Sequence, residues 1–138
     1  MEDAGVIVLD THALLWMDRD DPALGQTARR LIEDAWRAGQ IAVSASSFRE
    51  TAMLAQRGRI VLPLPASEWR SELLQAGVRE IALDGRIGIL ASQLEDLHRD
   101  PANRFIVATS LQQQATLITA DENLLKWQSE LVRQDARV

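Results

Sequence analysis

Val6-Ile7-Val8-Leu9-Asp10 is the stretch whose reading decides the fold. It is a continuous apolar run, too short for a helix and rich in β-branched residues, which is the pattern of a strand buried on both faces. It ends abruptly at an acid. Thr116-Leu117-Ile118-Thr119-Ala120-Asp121, near the other end of the chain, repeats the arrangement. Between them Ile41 to Val43 reads as a second strand and Val78 to Leu83 as a third, and a possible edge strand lies near Val132.

Helical signals fill the gaps between these runs. Asp21-Pro22 has the cap-then-proline signature, and Leu24, Ala28, Leu31, Ile32, Ala35 and Trp36 then recur at helical spacing until Gly39. Ser47-Phe48-Arg49-Glu50 is a capping-box pattern, with Gly58 as its C-terminal stop. Pro63 and Pro65 break the chain before a helix from about Ser67 to Gln75. Asp84 opens a helix through Ala91 and Leu94. Asp100-Pro101 opens another, whose Phe105, Ala108, Thr109 and Leu111 make a largely apolar surface suited to a sheet. A short helix at Leu124 to Trp127 follows. Short buried strands alternating with helices predict parallel pairing through right-handed crossovers, hence a three-layer α/β/α sandwich with a central, mainly parallel sheet. Ligands in such folds sit beyond the carboxyl ends of the strands, where Asp10 and Asp121 fall.

The composition narrows the function. With 138 residues and 46% hydrophobic content the chain has material for one core, so a single domain over 1–138 is expected. No apolar run approaches the ~20 residues that span a bilayer, and the Met-Glu-Asp start lacks a signal peptide's features, so a cytoplasmic protein without membrane contact is expected. The absence of cysteine excludes disulfides, thiolate metal sites and cysteine nucleophiles. Any metal must be held by oxygen or imidazole. A net charge of -5 argues against gripping nucleic acid by bulk positive charge. Lys126 is the one lysine among 15 basic residues, and the arginine fork suits local phosphate contacts.

Each acid has an ordinary role as a helix cap. Asp21 and Asp84 are assigned to that role, Asp100 shares their pattern, and Glu50 fits the return arm of a capping box on Ser47. The combination says more than its members. If the strands bearing Asp10 and Asp121 are neighbours, their carboxylates converge, and Glu50 and the start of the Pro101 helix can reach the same cleft. Clustered carboxylates repel one another unless a cation neutralises them, and a hard ion such as magnesium suits an all-oxygen set.

Four segments carry a family resemblance: Leu9-Asp10-Thr11-His12-Ala13-Leu14-Leu15-Trp16; Ser47-Phe48-Arg49-Glu50 running to Arg57-Gly58-Arg59; His98-Arg99-Asp100-Pro101-Ala102-Asn103-Arg104 with Ile106-Val107-Ala108-Thr109; and Leu117-Ile118-Thr119-Ala120-Asp121. In this order and spacing, from Val6 to Trp127, the chain resembles the PIN-domain ribonucleases, and within them the VapC toxins of toxin–antitoxin pairs. The resemblance implies a magnesium-dependent endoribonuclease, with manganese as a substitute ion. It implies a homodimer held inactive by a VapB-like antitoxin. The acidic site carries over to Asp10, Glu50 and Asp121.

The third motif departs from the family's Asp-Pro-x-Asp-Arg, because its second aspartate is here Asn103. An amide offers a cation an oxygen but no charge, so weaker metal binding is expected, whether Asn103 is natural or an inactivating change. Asp100, one turn earlier, is the alternative fourth ligand, at the cost of its cap. The implied chemistry is in-line attack by metal-activated water on an RNA phosphodiester. Arg99 and Arg104 are the candidate phosphate contacts, ahead of Arg49, Arg57, Arg59 and Arg86. Thr11 is a candidate for orienting water or an acid, and His12 for meeting RNA, although a tucked-in imidazole is the expectation. Three successive apolar residues on a helix cannot all face one core, so one of Leu14, Leu15 and Trp16 is expected to be open to an antitoxin segment. Two competitors remain. One is a catalytically weakened or inactive protein of the same fold that only sequesters antitoxin. The other is an aspartyl-phosphate α/β protein, disfavoured because His12 stands where a phosphatase of that kind has its second aspartate.

Overall fold

A computed structural model of the chain describes residues 5–97 and 99–138. The Met-Glu-Asp start and His98 of the third motif lie outside the described residues. The strands are β1 (Ile7–Leu9), β2 (Ile41–Ser44), β3 (Arg79–Ile81), β4 (Thr116–Thr119) and β5 (Val132–Asp135). They pair in the order β3-β2-β1-β4-β5, all parallel. The helices are α1 (Thr11–Arg19), α2 (Gln26–Arg37), α3 (Ala45–Gln56), α4 (Ala66–Gln75), α5 (Gly85–Gln93), α6 (Pro101–Gln112) and α7 (Glu122–Lys126).

The sheet is covered on both sides, and the alternation of its residues shows how. Ile7, Leu9, Ile41, Val43 and Ile118 point into one core with Leu14 of α1, Ile32 of α2 and Trp69 of α4. Val8, Ala42 and Leu117 point the other way, onto Ile106 and Val107 of α6 and Leu124 of α7. Period-two alternation between two apolar faces is why these strands read as continuous apolar runs. The three-layer expectation therefore holds, and the sheet is wholly rather than mainly parallel. The chain winds outward from β1 to β3, then returns to lay β4 on the other side of β1. The winding direction reverses between β1 and β4, which opens a crevice at their carboxyl ends.

Several boundaries differ from the sequence reading for identifiable reasons. Asp21-Pro22 does not open α2. Asp21 instead organises a turn, accepting from the Ala23 amide through its side chain (2.9 Å) and from the Leu24 amide through its carbonyl (3.1 Å). The helix begins at Gln26 after Gly25, which has no side chain with which to cap it. Its caps come from the far end of the chain: the Gly25 amide donates to the Ala136 carbonyl and the Thr27 amide to Val138, each at 2.8 Å. Local pattern cannot reveal a cap supplied by tertiary contact. The helix carrying Glu50 starts at Ala45, capped by Ser44, so the capping box on Ser47 does not form. The third strand covers Arg79 to Ile81 only, with Ala82 and Leu83 exposed.

Leu14 and Leu15 are both buried in the core, at 0% and 3% exposure, which corrects their assignment as partner-binding candidates. Each gains roughly 1.5–3 kcal/mol from burial and is not open to another chain. Of the three, Trp16 alone is half-exposed.

The crossing of the C-terminal strap over Gly25 yields a prediction. A Cβ at Gly25 would stand 2.2 Å from the Val138 carbonyl carbon and 2.4 Å from its nitrogen. Gly25→Ala must therefore push the strap off α2 and lose both 2.8 Å bonds. The expected cost is about 2 kcal/mol, read as a lower urea midpoint at unchanged slope. An unchanged midpoint would show that the strap contributes nothing to stability.

Candidate active site

Asp10 and Asp121 follow β1 and β4, the neighbouring strands that flank the crevice. Each carboxylate divides its two oxygens between helix and cleft. Asp10 accepts from the Ala13 amide at 2.8 Å with Oδ1, capping α1, while Oδ2 accepts from the Thr119 hydroxyl. Asp121 caps α7 by accepting with Oδ1 from the Asn123 and Leu124 amides (2.8 and 3.1 Å), and its Oδ2 accepts from Asn103 Nδ2 at 3.2 Å. The Thr119 hydroxyl, which donates to Asp10, also accepts from the Asp121 amide at 3.0 Å. One side chain on β4 thus fixes both acids.

Glu50 projects from α3 toward the same place, and its Oε2 accepts from Thr11 Oγ1 at 2.9 Å. Ser47 Oγ stands 3.1 Å from that hydroxyl, so Thr11 joins α1 to α3 beside the acids. Asp100 caps α6 by accepting from the Ala102 amide at 3.0 Å. Asp10, Thr11, Glu50, Asp100, Asn103 and Asp121 line a cleft of about 390 Å³ with His12, Trp16, Ile106, Ala120 and Arg137.

Asp10, Glu50, Asp100, Asn103 and Asp121 are therefore brought together, with Thr11 and His12 beside them. His12 is exposed on the cleft rather than tucked in, because α1 turns its first-turn position outward while Thr11 and Ala13 are buried. Arg104 is not brought to the cleft, which corrects its assignment as a phosphate contact. Its guanidinium donates to the carbonyls of Ala91 (2.9 Å), Leu94 (2.7 Å) and Leu97 (3.1 Å), closing the end of α5. Those carbonyls lack helical partners, and a partly buried arginine satisfies them. Arg99, next to Asp100, is exposed and lines the groove beside α5 and α6 and is not among the residues that line the acidic cleft.

Arg137 was not legible in the sequence. It reaches the cleft only because the strap after β5 is tied to β4 and α2, and no local pattern encodes that path.

Burial pushes the Asp10 carboxyl upward, against hydrogen bonds from Thr119 and the Ala13 amide and the charge of His12; Glu50 adds to the rise. A buried acid raised by desolvation and facing other acids is a group that a cation would favour in its ionised form. The donor set, carboxylates plus an amide oxygen, fits a hard divalent ion. As they stand, no three acidic or imidazole side chains among the described residues are grouped closely enough to hold a metal. Each acid is turned instead onto a neutral donor: Asp10 onto Thr119, Glu50 onto Thr11, Asp121 onto Asn103. The amide bond of Asn103 leaves its oxygen available to a cation.

Known proteins bear on this geometry. Residues 7–128 match the PIN domain. Ribonuclease VapC22 of Mycobacterium tuberculosis is 32% identical over 119 residues, covering 86% of this chain and 88% of that protein. Two solved structures share the fold. A toxin–antitoxin complex from Klebsiella pneumoniae has a TM-score of 0.61 at 18% identity, over 87% of this chain and 91% of that one. VapBC2 of Rickettsia felis, bound to a DNA fragment from its promoter, has a TM-score of 0.70 at 13% identity, over 94% and 97%. The four motifs, the reversal at β1 and β4 and the acids gathered there agree with these matches: the chain belongs to the PIN-domain family and, within it, to the VapC-type ribonucleases.

Proposed function

We propose that this chain is a divalent-metal-dependent endoribonuclease, the toxin of a VapBC-type pair. Magnesium, or manganese in its place, is the expected ion, and Asp10, Glu50 and Asp121 are the acids that hold it. The observation that carries the reading is the meeting of these three acids at the β1–β4 crevice in a chain 32% identical to a protein named as a ribonuclease. A single domain over 1–138, a cytoplasmic location and a homodimeric state accompany it. Among the described residues no helix is long and apolar enough to cross a membrane.

When bound, a divalent ion in such a cleft lowers the pKa of water and offsets charge on a phosphodiester. The chain's own residues prepare the place. Thr119 holds Asp10 in one orientation, and Thr11 holds Glu50. The N-terminal ends of α1 and α6 both open on the cleft at Asp10 and Asp100, and their positive dipole ends favour an incoming phosphate. His12, exposed at the rim, is the proposed RNA contact beside Thr11. Asn103 and Asp100, whose Oδ1 caps Ala102, both line the cleft and are the proposed candidates for the fourth ligand.

A VapB-like antitoxin is the proposed partner. The two solved structures described above are toxin–antitoxin assemblies, and an acidic cleft is complementary to a basic segment of such a partner. Asn103 favours a second reading as well, a weakened or inactive toxin that only sequesters antitoxin, since its amide replaces a charge with a hydrogen bond to Asp121.

Two measurements decide between them. Purified protein with magnesium or manganese should cut RNA, and Asp10→Asn should lower the rate by at least about a hundredfold while leaving the fold intact by circular dichroism. No cleavage with either ion would favour the sequestering role. Asn103→Asp places a second carboxylate about 3 Å from Asp121, which adds charge for an ion and repulsion without one. Magnesium affinity by calorimetry should rise about tenfold, and the metal-free protein should melt lower. Equal affinities would show that position 103 does not face the ion.

A further inference from the structure

Arg137 lines the acidic cleft, yet nothing described so far gives it a task there. Its backbone is fixed on both sides. Ala136 is fully buried, donates through its amide to the Thr119 carbonyl and accepts from the Gly25 amide, each at 2.8 Å. Val138 accepts from the Thr27 amide. Arg137 is therefore displayed one residue from the backbone that carries the Thr119 bridge.

Its side chain is fixed as well. Nη2 donates to Glu122 Oε1 at 2.5 Å, and Nε to Asp135 Oδ1 at 3.3 Å. Glu122 is the residue after Asp121, so the guanidinium is anchored to the same short helix that Asp121 caps. These bonds leave the Nη1 hydrogens uncommitted, on a side chain that is 45% exposed. Of the other arginines considered for phosphate, Arg104 is committed to carbonyls and Arg99 lies on another groove. Arg137 is the one arginine among the residues lining the cleft.

We propose that Arg137 is the phosphate-contacting residue of this nuclease, with its Nη1 edge directed to a backbone phosphate of the RNA as the acids engage the scissile one. The assignment rests on the ribonuclease reading above. A guanidinium held by two carboxylates is pre-oriented, so less freedom is lost when it meets a phosphate than for a free side chain. The same carboxylates offset part of its field, which makes the contact one of position more than of attraction. It also supplies the one guanidinium donor among the residues lining this acidic cleft.

The test uses full-length protein. Cleavage of total bacterial RNA locates a cut site, and a fluorescent oligoribonucleotide spanning that site becomes the probe, with binding read by anisotropy in an Asp10→Asn background. Adding Arg137→Ala should weaken binding about tenfold and flatten the salt dependence by ~0.7, the loss of one phosphate contact on a single strand. In the otherwise native protein KM should rise more than kcat falls. Arg137→Lys should recover the salt slope but only part of the affinity, since it keeps charge and loses the fork. Glu122→Gln should keep RNA affinity within about twofold, because it removes the charge of the anchor but keeps an acceptor for Nη2. Unchanged binding and slope in Arg137→Ala would overturn the assignment. So would a loss that Glu122→Gln reproduces in full, because Arg137 would then act only as a clamp between α7 and β5. If the native protein cuts RNA while Arg137→Ala matches it, this assignment alone fails. If the native protein neither binds nor cuts RNA, the ribonuclease reading fails and takes the assignment with it.

Discussion

The Thr119 hydroxyl is the contact on which the site's geometry depends. It donates to the buried Asp10 carboxylate at the end of β1 and accepts from the Asp121 amide at the end of β4. Those strands are neighbours only because the sheet reverses direction between them, so the hydroxyl closes the topological seam of the fold. Thr119 is fully buried, as is β1, and without its hydroxyl the buried Asp10 would keep only the Ala13 amide as a donor and leave Oδ2 unsatisfied at a desolvation cost. The hydrogen bond opposes the upward push of burial on the Asp10 carboxyl. Fold and site therefore share one interaction at the seam.

Capping and ligation, which compete as explanations when the sequence alone is read, turn out to be compatible. A carboxylate has two oxygens. At Asp10 and Asp121 one oxygen closes a helix and the other faces a neighbour across the cleft. The cap fixes the side-chain rotamer, so the second oxygen is aimed without further support, and the helix N-terminus stabilises the charge that a cation needs. Helices that begin directly after parallel strands make such two-role acids a consequence of the fold itself. Glu50 is the exception. It lies in the body of α3 and relies on Thr11 for its orientation.

What was legible in the sequence follows the same division. β1 and β4 were readable to within a residue because both faces of each are buried, and the acids after them fell where strand and helix signals met. The convergence of Asp10, Glu50 and Asp121 was expected and is found in one cleft. The misreadings at Gly25, Arg104 and Arg137 share a cause, which is contact beyond the local strand or helix pattern. Gly25 is capped by a strap more than a hundred residues away, Arg104 closes a helix end earlier in the chain, and Arg137 reaches the cleft only through that strap. Leu14 and Leu15 show another limit. A helix wedged between the sheet and its neighbours buries a wider arc than helical periodicity on a single face allows.

Asn103 sharpens the electrostatic problem that this site sets for its proposed substrate. The chain carries -5 overall, and four acids, Asp10, Glu50, Asp100 and Asp121, line the cleft that a polyanion must enter. A further acid at position 103 would hold a cation more firmly but repel phosphate more strongly whenever the cation is absent. With an amide at position 103, Asp121 is steadied by a hydrogen bond at 3.2 Å instead of being driven off by a like charge. The cleft is then less demanding of an ion for its own integrity, and on the proposed reading the exposed His12 and the anchored Arg137 on its walls would lower the barrier to an approaching phosphate. The same balance explains why a basic segment would occupy the cleft readily: it would meet the acids without needing the metal at all.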